Sequence, residues 1–102
     1  MSAETEVQKV VAADRRLCFL RLLDEAGSAA NTSVIEKALR AYCLPGVERD
    51  VVNGDARFLA AAGLINATEL RPDLLAVTLL DRGERVALGQ EHVPGIARPS
   101  RD

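Results

Sequence analysis

Three polar side chains in one predicted helix have the types and the spacing that suit contact with a nucleic acid. Arg49, Asn53 and Arg57 recur at i, i+4 and i+8, so a helix would present all three on one side. In the major groove, arginine pairs with guanine edges and asparagine with adenine edges. The pattern predicts a DNA-contacting stripe, and the alternative interpretation is a solvated helix face.

Three arginines outside this helix are further candidates for DNA contact. Arg71 lies in the turn Arg71-Pro72-Asp73, and Arg98 and Arg101 lie in a tail that contains proline and glycine. Arginines at such places bind phosphate oxygens without selecting a base. Together with the helical stripe, they complete the predicted DNA-binding set.

The charge balance of the chain argues against strong, non-specific DNA binding. The 102 residues carry 13 Lys and Arg against 15 Asp and Glu, a formal net charge of −2. Within residues 48–62, Glu48, Asp50 and Asp55 outnumber the two arginines, and phosphate neutralisation dominates non-specific affinity. A polybasic protein is therefore excluded. Interaction or assembly with another protein is a second hypothesis.

The sequence contains no residue set for catalysis, metal binding or a cofactor. Cys18, Cys43 and the single His92 are too few for a structural zinc site without carboxylates, and no P-loop, GxSxG or HExxH motif occurs. No apolar run reaches the ~20 residues of a membrane span. We expect no enzyme, metal, cofactor or small-molecule substrate, no membrane association and a cytoplasmic location.

Glycine and proline divide the chain into four predicted helices and one hairpin. The first and third helices are expected over about 4–26 and 48–62, each followed by a glycine. The second helix begins at Asn31 or at a capping box that starts at Ser33, and the sequence leaves both open. Two β-like runs, 64–70 and 74–79, predict an antiparallel hairpin. Thr78 is the expected cap of a last helix over 80–88.

The first helix is apolar over most of its girth, which is typical of a helix buried on two sides. The second side is either covered by the other helices or faces a second copy of the chain. In the second case, the predicted dimer interface contains Val7, Val11, Cys18 and Leu22.

Two charged residues in the apolar arcs predict a structural ion pair. Arg16 lies in the apolar arc of the first helix, and Asp55 lies at the edge of the core face of the third. We expect these two residues to pair, or Asp55 to pair with another arginine of the first helix.

The order of elements predicts a mainly α protein with a small β-hairpin, a winged helix-turn-helix. It has three helices, a two-stranded wing, a C-terminal helix and an extended tail. Residues 1–92 form the single domain, with residues 1–10 as an N-terminal extension, and residues 93–102 form the tail. That tail is expected to fold back across the domain as a docking segment, or else to be disordered.

Several segments of the chain have a distinctive sequence. They are Phe19-Leu20-Arg21-Leu22-Leu23, Asn31, Asp55 with Phe58-Leu59, Gly63-Leu64-Ile65, residues 83–89 and Val93-Pro94-Gly95-Ile96-Ala97-Arg98-Pro99. Together they resemble a family of small winged-helix proteins encoded by Mu-like phages and prophages, sometimes labelled ArsR-like, and the resemblance covers residues 16–99. Glu48 and Leu80 stand where the family tends to have Ser and Thr. The resemblance implies a phage gene product that binds DNA. The expected partners of the chain are DNA, a second copy and another phage protein.

Overall fold

The computed structural model describes residues 5–99, which form four helices and a three-stranded antiparallel sheet in one mixed α/β unit. The elements, in chain order, are α1 (Glu6–Glu25), β1 (Ala29–Asn31), α2 (Thr32–Tyr42), α3 (Arg49–Ala61), β2 (Ile65–Arg71), β3 (Leu74–Leu79) and α4 (Asp81–Ala87).

Local side-chain bonds and glycines determine where the helices begin and end. Thr5 and Gln8 form a capping box at the start of α1, and the Asn31 side chain accepts from the backbone N–H of Val34 at the start of α2. Asn31, rather than Ser33, is thus the cap of α2. Gly27 follows α1 with a φ of +91°, a conformation that glycine adopts without steric cost.

The sheet contains one strand more than the predicted hairpin. Its order is β1-β3-β2, and both pairings are antiparallel. β1 is only three residues long and follows α1 directly, with Ala29 opposite Thr78. Since Thr78 belongs to β3, its predicted role as the cap of α4 is wrong. The N-cap of α4 is Leu80, which has no side-chain cap bond.

The hydrophobic core lies between the helices and one face of the sheet. α1 packs against α2 and α4, and α3 packs against α2 and β2. Leucines and one phenylalanine fill the centre, and their burial is the main source of stability. The largest fully buried apolar side chains are Phe19, Leu20, Leu23, Ile35, Leu39, Leu59, Leu64 and Ile65.

The segment after α4 folds back onto α1 up to Pro99, the last described residue. Val93 and Ile96 are buried in the core, and the backbone N–H of Ala97 donates to the carbonyl of Ala13 over 3.1 Å. This part of the tail is therefore a packed element of the fold.

Candidate nucleic-acid interface

One face of α3 is exposed along the whole helix. Asp50, Gly54, Arg57 and Ala61 recur at i, i+4, i+7 and i+11, and all four are exposed. The opposite face carries Val52, Ala56 and Leu59, which are fully buried. Arg57 forms no hydrogen bond or ion pair with any residue in the described range. Its guanidinium is available to an external acceptor.

Arg49 and Asn53 do not share that exposed face, which corrects the predicted stripe of three residues. The Nε atom of Arg49 donates to Glu36 Oε1 over 2.7 Å, and its Nη1 atom donates to the carbonyl oxygen of Asp73 over 3.3 Å. The Nδ2 atom of Asn53 donates to the same carbonyl over 3.2 Å and to Asp73 Oδ1 over 3.3 Å. Asn53 is only 5% exposed.

These bonds fasten the turn between β2 and β3 to α3, so we call Arg49, Asn53 and Asp73 the wing clamp. Glu36 of α2 forms an ion pair with Arg49. The Nη2 atom of Arg40 lies 3.0 Å from Oε2 of the same glutamate. The Oδ1 atom of Asn53 is buried without a donor among the described residues. The clamp therefore uses only the donor side of this amide.

The clamp places Arg71 at the end of β2 beside a turn of fixed position. Arg71 is exposed, and the β2–β3 register shifts between Glu69 and Arg71. Such irregularities re-aim side chains at the ends of strands. The exposed face of α3 and the turn thus form one surface, with Arg57 on the helix and Arg71 at the turn.

Carboxylates border this surface and weaken its attraction for phosphates. Glu48 and Asp50 are exposed at the start of α3, where they suit the positive end of the helix dipole. The Asp73 side chain is 71% exposed, and it accepts from Asn53 and lies 3.6 Å from Arg49 Nη1. The surface is therefore close to neutral, and selective contacts would contribute more to affinity than bulk charge.

Gly54 leaves the middle of the exposed face bare. No described heavy atom lies within 4 Å of the position that a Cβ would take there. The chain itself does not need this glycine for packing, although glycine costs about 1 kcal/mol in a helix relative to alanine. A glycine at such a position allows a partner to approach the helix backbone closely.

Asp55 lies on the other side of α3, in a cluster with α1 and the tail. It is 2% exposed and accepts from both Arg15 and Arg16; the Arg16 Nε–Oδ1 distance is 3.2 Å. Arg16 also donates to the carbonyl of Gly95 over 3.1 Å. Arg16 and Asp55, the predicted ion pair, are thus brought together, and Arg15 joins them.

The remaining predicted DNA-contacting arginines lie in the tail. Arg98 is exposed and has no hydrogen bond or ion pair within residues 5–99. Arg101 lies outside the described residues.

The predicted dimer residues share one side of α1. Val7 and Val11 are exposed, whereas Cys18 and Leu22 are half-buried against the core. Two residues of α2 and its C-cap lie beside them. Tyr42 is 80% exposed, and Cys43 is also exposed. Both lie at the end of α2, beyond the reach of the core.

Burial, followed by the hydrogen bond with Cys43 and the charge of Asp14, raises the pKa of the Cys18 thiol to about 12. Within the described range, no group of three or more His, Cys, Asp or Glu side chains is placed to hold a metal ion. None of the helices described is both long and apolar enough to cross a membrane.

Sequence reasoning missed Asp73 as the acceptor of the wing clamp. The sequence signal at this position was weak. Aspartate after proline indicates a turn, but it does not indicate which helix the turn contacts. Arg15 was not predicted by number as a partner of Asp55. It was included only in the alternative that Asp55 pairs with another arginine of the first helix.

Comparisons with known proteins relate the chain to phage and bacterial sequences. Uncharacterized protein gp26 of Escherichia phage Mu is 39% identical over 93 residues, which cover 91% of this chain and 95% of that protein. An uncharacterized protein of Haemophilus influenzae is 31% identical over 75 residues, 74% of this chain and 72% of that protein. No protein-family profile and no solved structure matches the chain.

Proposed function

Because the chain belongs to the family of the phage Mu protein gp26, we propose that it is a phage-derived winged-helix protein that binds DNA sequence-specifically, in the manner of a transcriptional regulator. The order of its helices and strands and the β1-β3-β2 sheet support the winged-helix assignment. In such a fold α3 is the recognition helix, and the β2–β3 turn is the wing.

The observation that carries the proposal is the exposed, unpaired Arg57 on a helix whose wing is clamped beside it. Arg57 lies one turn after Gly54 on the open face of α3. A helix that enters the major groove presents such an arginine to the O6 and N7 atoms of guanine. Gly54 allows the helix backbone to approach the groove wall.

The other polar groups have supporting roles in this proposal. Arg71 at the wing, and Arg98 in the tail, contact phosphate oxygens. Arg49 and Asn53 act as positioning residues, since their donors hold the wing turn rather than a base. The proposed site of action is the cytoplasm of the host cell.

Binding is tested by selecting sequences from phage genomic fragments and a random DNA pool. Fluorescence anisotropy then measures the dissociation constant of the selected duplex at about 50 mM and about 200 mM salt, because a protein that makes phosphate contacts binds more weakly as salt rises. The absence of binding at the lower salt concentration would overturn the proposal.

Three variants separate base contact from phosphate contact. Arg57→Ala is expected to lose about 1–3 kcal/mol and to relax selectivity at one base position. Arg71→Ala is expected to weaken binding to all sequences evenly and to reduce the salt slope by about 1. The control is Arg85→Ala, an exposed arginine of α4 that pairs with Glu91 and lies outside the proposed surface, so its DNA affinity should equal that of the wild type.

A second candidate function is assembly with another phage protein through the same surface. The acidic flank of Glu48, Asp50 and Asp73 favours it, as do the exposed Val51 and Leu70. Charged and apolar side chains in this mixture suit a protein partner with basic residues. In a pull-down with the other proteins of the phage, loss of capture on Asp50→Lys, with no DNA binding at low salt, would favour assembly over DNA binding.

A further inference from the structure

The outer face of α1 carries a regular series of side chains that are exposed or only half-buried. Its members recur with alternating steps of four and three residues, which places them on one side of a helix. The core residues Ala12, Phe19 and Leu23 lie on the opposite side and are buried. We call the outer residues the α1 seam; they are Val7, Val11, Asp14, Cys18, Arg21 and Glu25, with Leu22 beside them.

An open groove runs along the middle of the seam, between α1 and the end of α2. Its volume is about 420 Å³, and Cys18, Leu22, Tyr42 and Cys43 line it. Tyr42 projects from the groove with 80% of its surface exposed. Aromatic side chains are enriched at protein interfaces, since they bury much area with few rotatable bonds.

The seam also carries two charges that have no partner in the described chain. Asp14 and Arg21 are exposed and form neither a hydrogen bond nor an ion pair with residues 5–99. Asp14 precedes Cys18 by four residues, and Arg21 follows Cys18 by three. The centre of the seam is therefore Cys18, with a negative charge on one side and a positive charge on the other.

This arrangement is complementary to itself under a two-fold rotation. If two copies of α1 cross in antiparallel fashion beside Cys18, Asp14 of each copy meets Arg21 of the other, and the contact occurs twice. A parallel arrangement would instead bring Asp14 to Asp14 and Arg21 to Arg21, and like charges in contact are unfavourable. The charges of Asp14 and Arg21 thus favour the antiparallel orientation of the two α1 helices.

We propose that the α1 seam is the interface of a homodimer in which two copies of α1 cross antiparallel beside Cys18, with reciprocal Asp14–Arg21 ion pairs. The exposed Val7 and Val11 of each copy then lie towards the Leu22–Glu25 end of the other copy. Tyr42 closes the edge of the contact. The inference does not depend on DNA binding, because none of these residues belongs to the proposed DNA surface.

Charge exchange tests the proposal in solution. Sedimentation equilibrium should show a dimer for the wild type at about 100 μM. Asp14→Arg alone and Arg21→Asp alone should each weaken it by about tenfold or more, because each change places two like-charge pairs in the interface. The double variant Asp14→Arg with Arg21→Asp should restore dimerisation to within about threefold of the wild type, since it exchanges the two signs.

The control variant is Lys37→Glu, an exposed residue on the side of α2 away from the seam, and it should leave the dimer unchanged. Circular dichroism of every variant shows whether the fold persists. A wild-type monomer at about 100 μM would overturn the proposal, and so would single variants that dimerise as well as the wild type.

A disulfide test gives a readout that does not depend on affinity. In a background with Cys18→Ser and Cys43→Ser, the variant Asp14→Cys with Arg21→Cys carries two thiols seven residues apart on one helix. Their Cα atoms are about 10.5 Å apart, which exceeds the reach of about 7 Å of a disulfide. Oxidation should therefore yield covalent dimers. The pair Asp14→Cys with Lys37→Cys should yield none, and equal yields from the two pairs would contradict the proposed geometry.

Discussion

The guanidinium carbon of Arg16 lies 3.9 Å from the centre of the Phe58 ring. This contact joins α1 to α3, and the same arginine bonds Asp55 of α3 and the carbonyl of Gly95 in the tail. One side chain therefore links three segments that are distant in sequence. The recognition helix of the proposed DNA surface is held in place partly by this cluster on its opposite face.

Removal of the shared carboxylate should destabilise the fold strongly. Asp55→Ala removes the buried carboxylate to which both Arg15 and Arg16 donate, and a broken buried pair costs about 3–5 kcal/mol. Urea denaturation measures the loss in the free energy of unfolding. The control is Asp50→Ala on the exposed face of the same helix, which should cost less than about 1 kcal/mol because it loses mainly the helix-dipole term. Equal losses would contradict this account of Asp55.

Because the tail is packed against α3 at Gly95, substitution of Gly95 by alanine should lower the stability of the fold much more than substitution of Gly46. Gly95 has a φ of +88°, and a Cβ there would lie 2.8 Å from Cζ of Phe58. Gly95→Ala should therefore cost about 1–3 kcal/mol. Gly46 has no heavy atom within 4 Å among the residues described, and Gly46→Ala should change stability by less than about 0.5 kcal/mol. Thermal unfolding of both variants provides the comparison, and similar melting temperatures would argue against docking of the tail.

Substitution of Gly54 by alanine should raise the stability of the protein and lower its affinity for DNA. Gly54→Ala fills open space in an exposed helix, so it should raise the free energy of unfolding by about 1 kcal/mol. If α3 enters a groove, the added methyl group should at the same time weaken DNA binding, as measured by anisotropy. A stabilised variant with unchanged affinity would place the contact surface elsewhere on α3.

The wing clamp should control the mobility of the β2–β3 turn. Asn53→Ala removes both hydrogen bonds that Asn53 Nδ2 donates to Asp73, so the backbone amides of residues 70–75 should exchange with deuterium faster than in the wild type. The amides of α1 serve as the internal reference and should be unaffected. Unchanged exchange in the turn would show that the β-ladder and Arg49 hold the wing without Asn53.

The raised pKa of Cys18 predicts unequal reactivity of the two thiols. The thiolate is the nucleophile, and a pKa of about 12 keeps Cys18 protonated at neutral pH. At pH 8, iodoacetamide should initially modify Cys18 of the wild-type protein at least about tenfold more slowly than the exposed Cys43 of the same protein. Because the wild-type pKa of Cys18 lies above the pH, the rate at Cys18 of the wild-type protein should keep rising between pH 8 and pH 10. Mass spectrometry at timed intervals measures both rates.

Local signals predicted most of the elements correctly. Gly27 and Gly63 have positive φ values and follow α1 and α3 as expected, and β3 has the predicted bounds, Leu74–Leu79. β1 escaped prediction because Ala29–Asn31 has no β-branched or aromatic residue. Its strand conformation depends on pairing with β3, a contact that no local pattern reveals.

The candidate site was harder to predict because its side chains have partners that are distant in sequence. A helical wheel places Arg49, Asn53 and Arg57 together, but only the fold shows that Asp73, 20 residues from Asn53, covers one edge of α3. Two of the three side chains thereby become structural. Tyr42 also shows that position decides exposure, since its place at the end of α2 leaves this aromatic side chain exposed.

The docked tail has a consequence for the order in which the protein folds. Arg16 and its acceptor Gly95 are 79 residues apart, so their contact closes a long loop and costs more chain entropy than a local contact. During synthesis α1 leaves the ribosome well before residues 93–97 exist. Until then the sites of Val93 and Ile96 in the core are empty, and the nascent chain exposes apolar surface there. Completion of the fold is therefore tied to the synthesis of residues 93–97 rather than to the emergence of the helices.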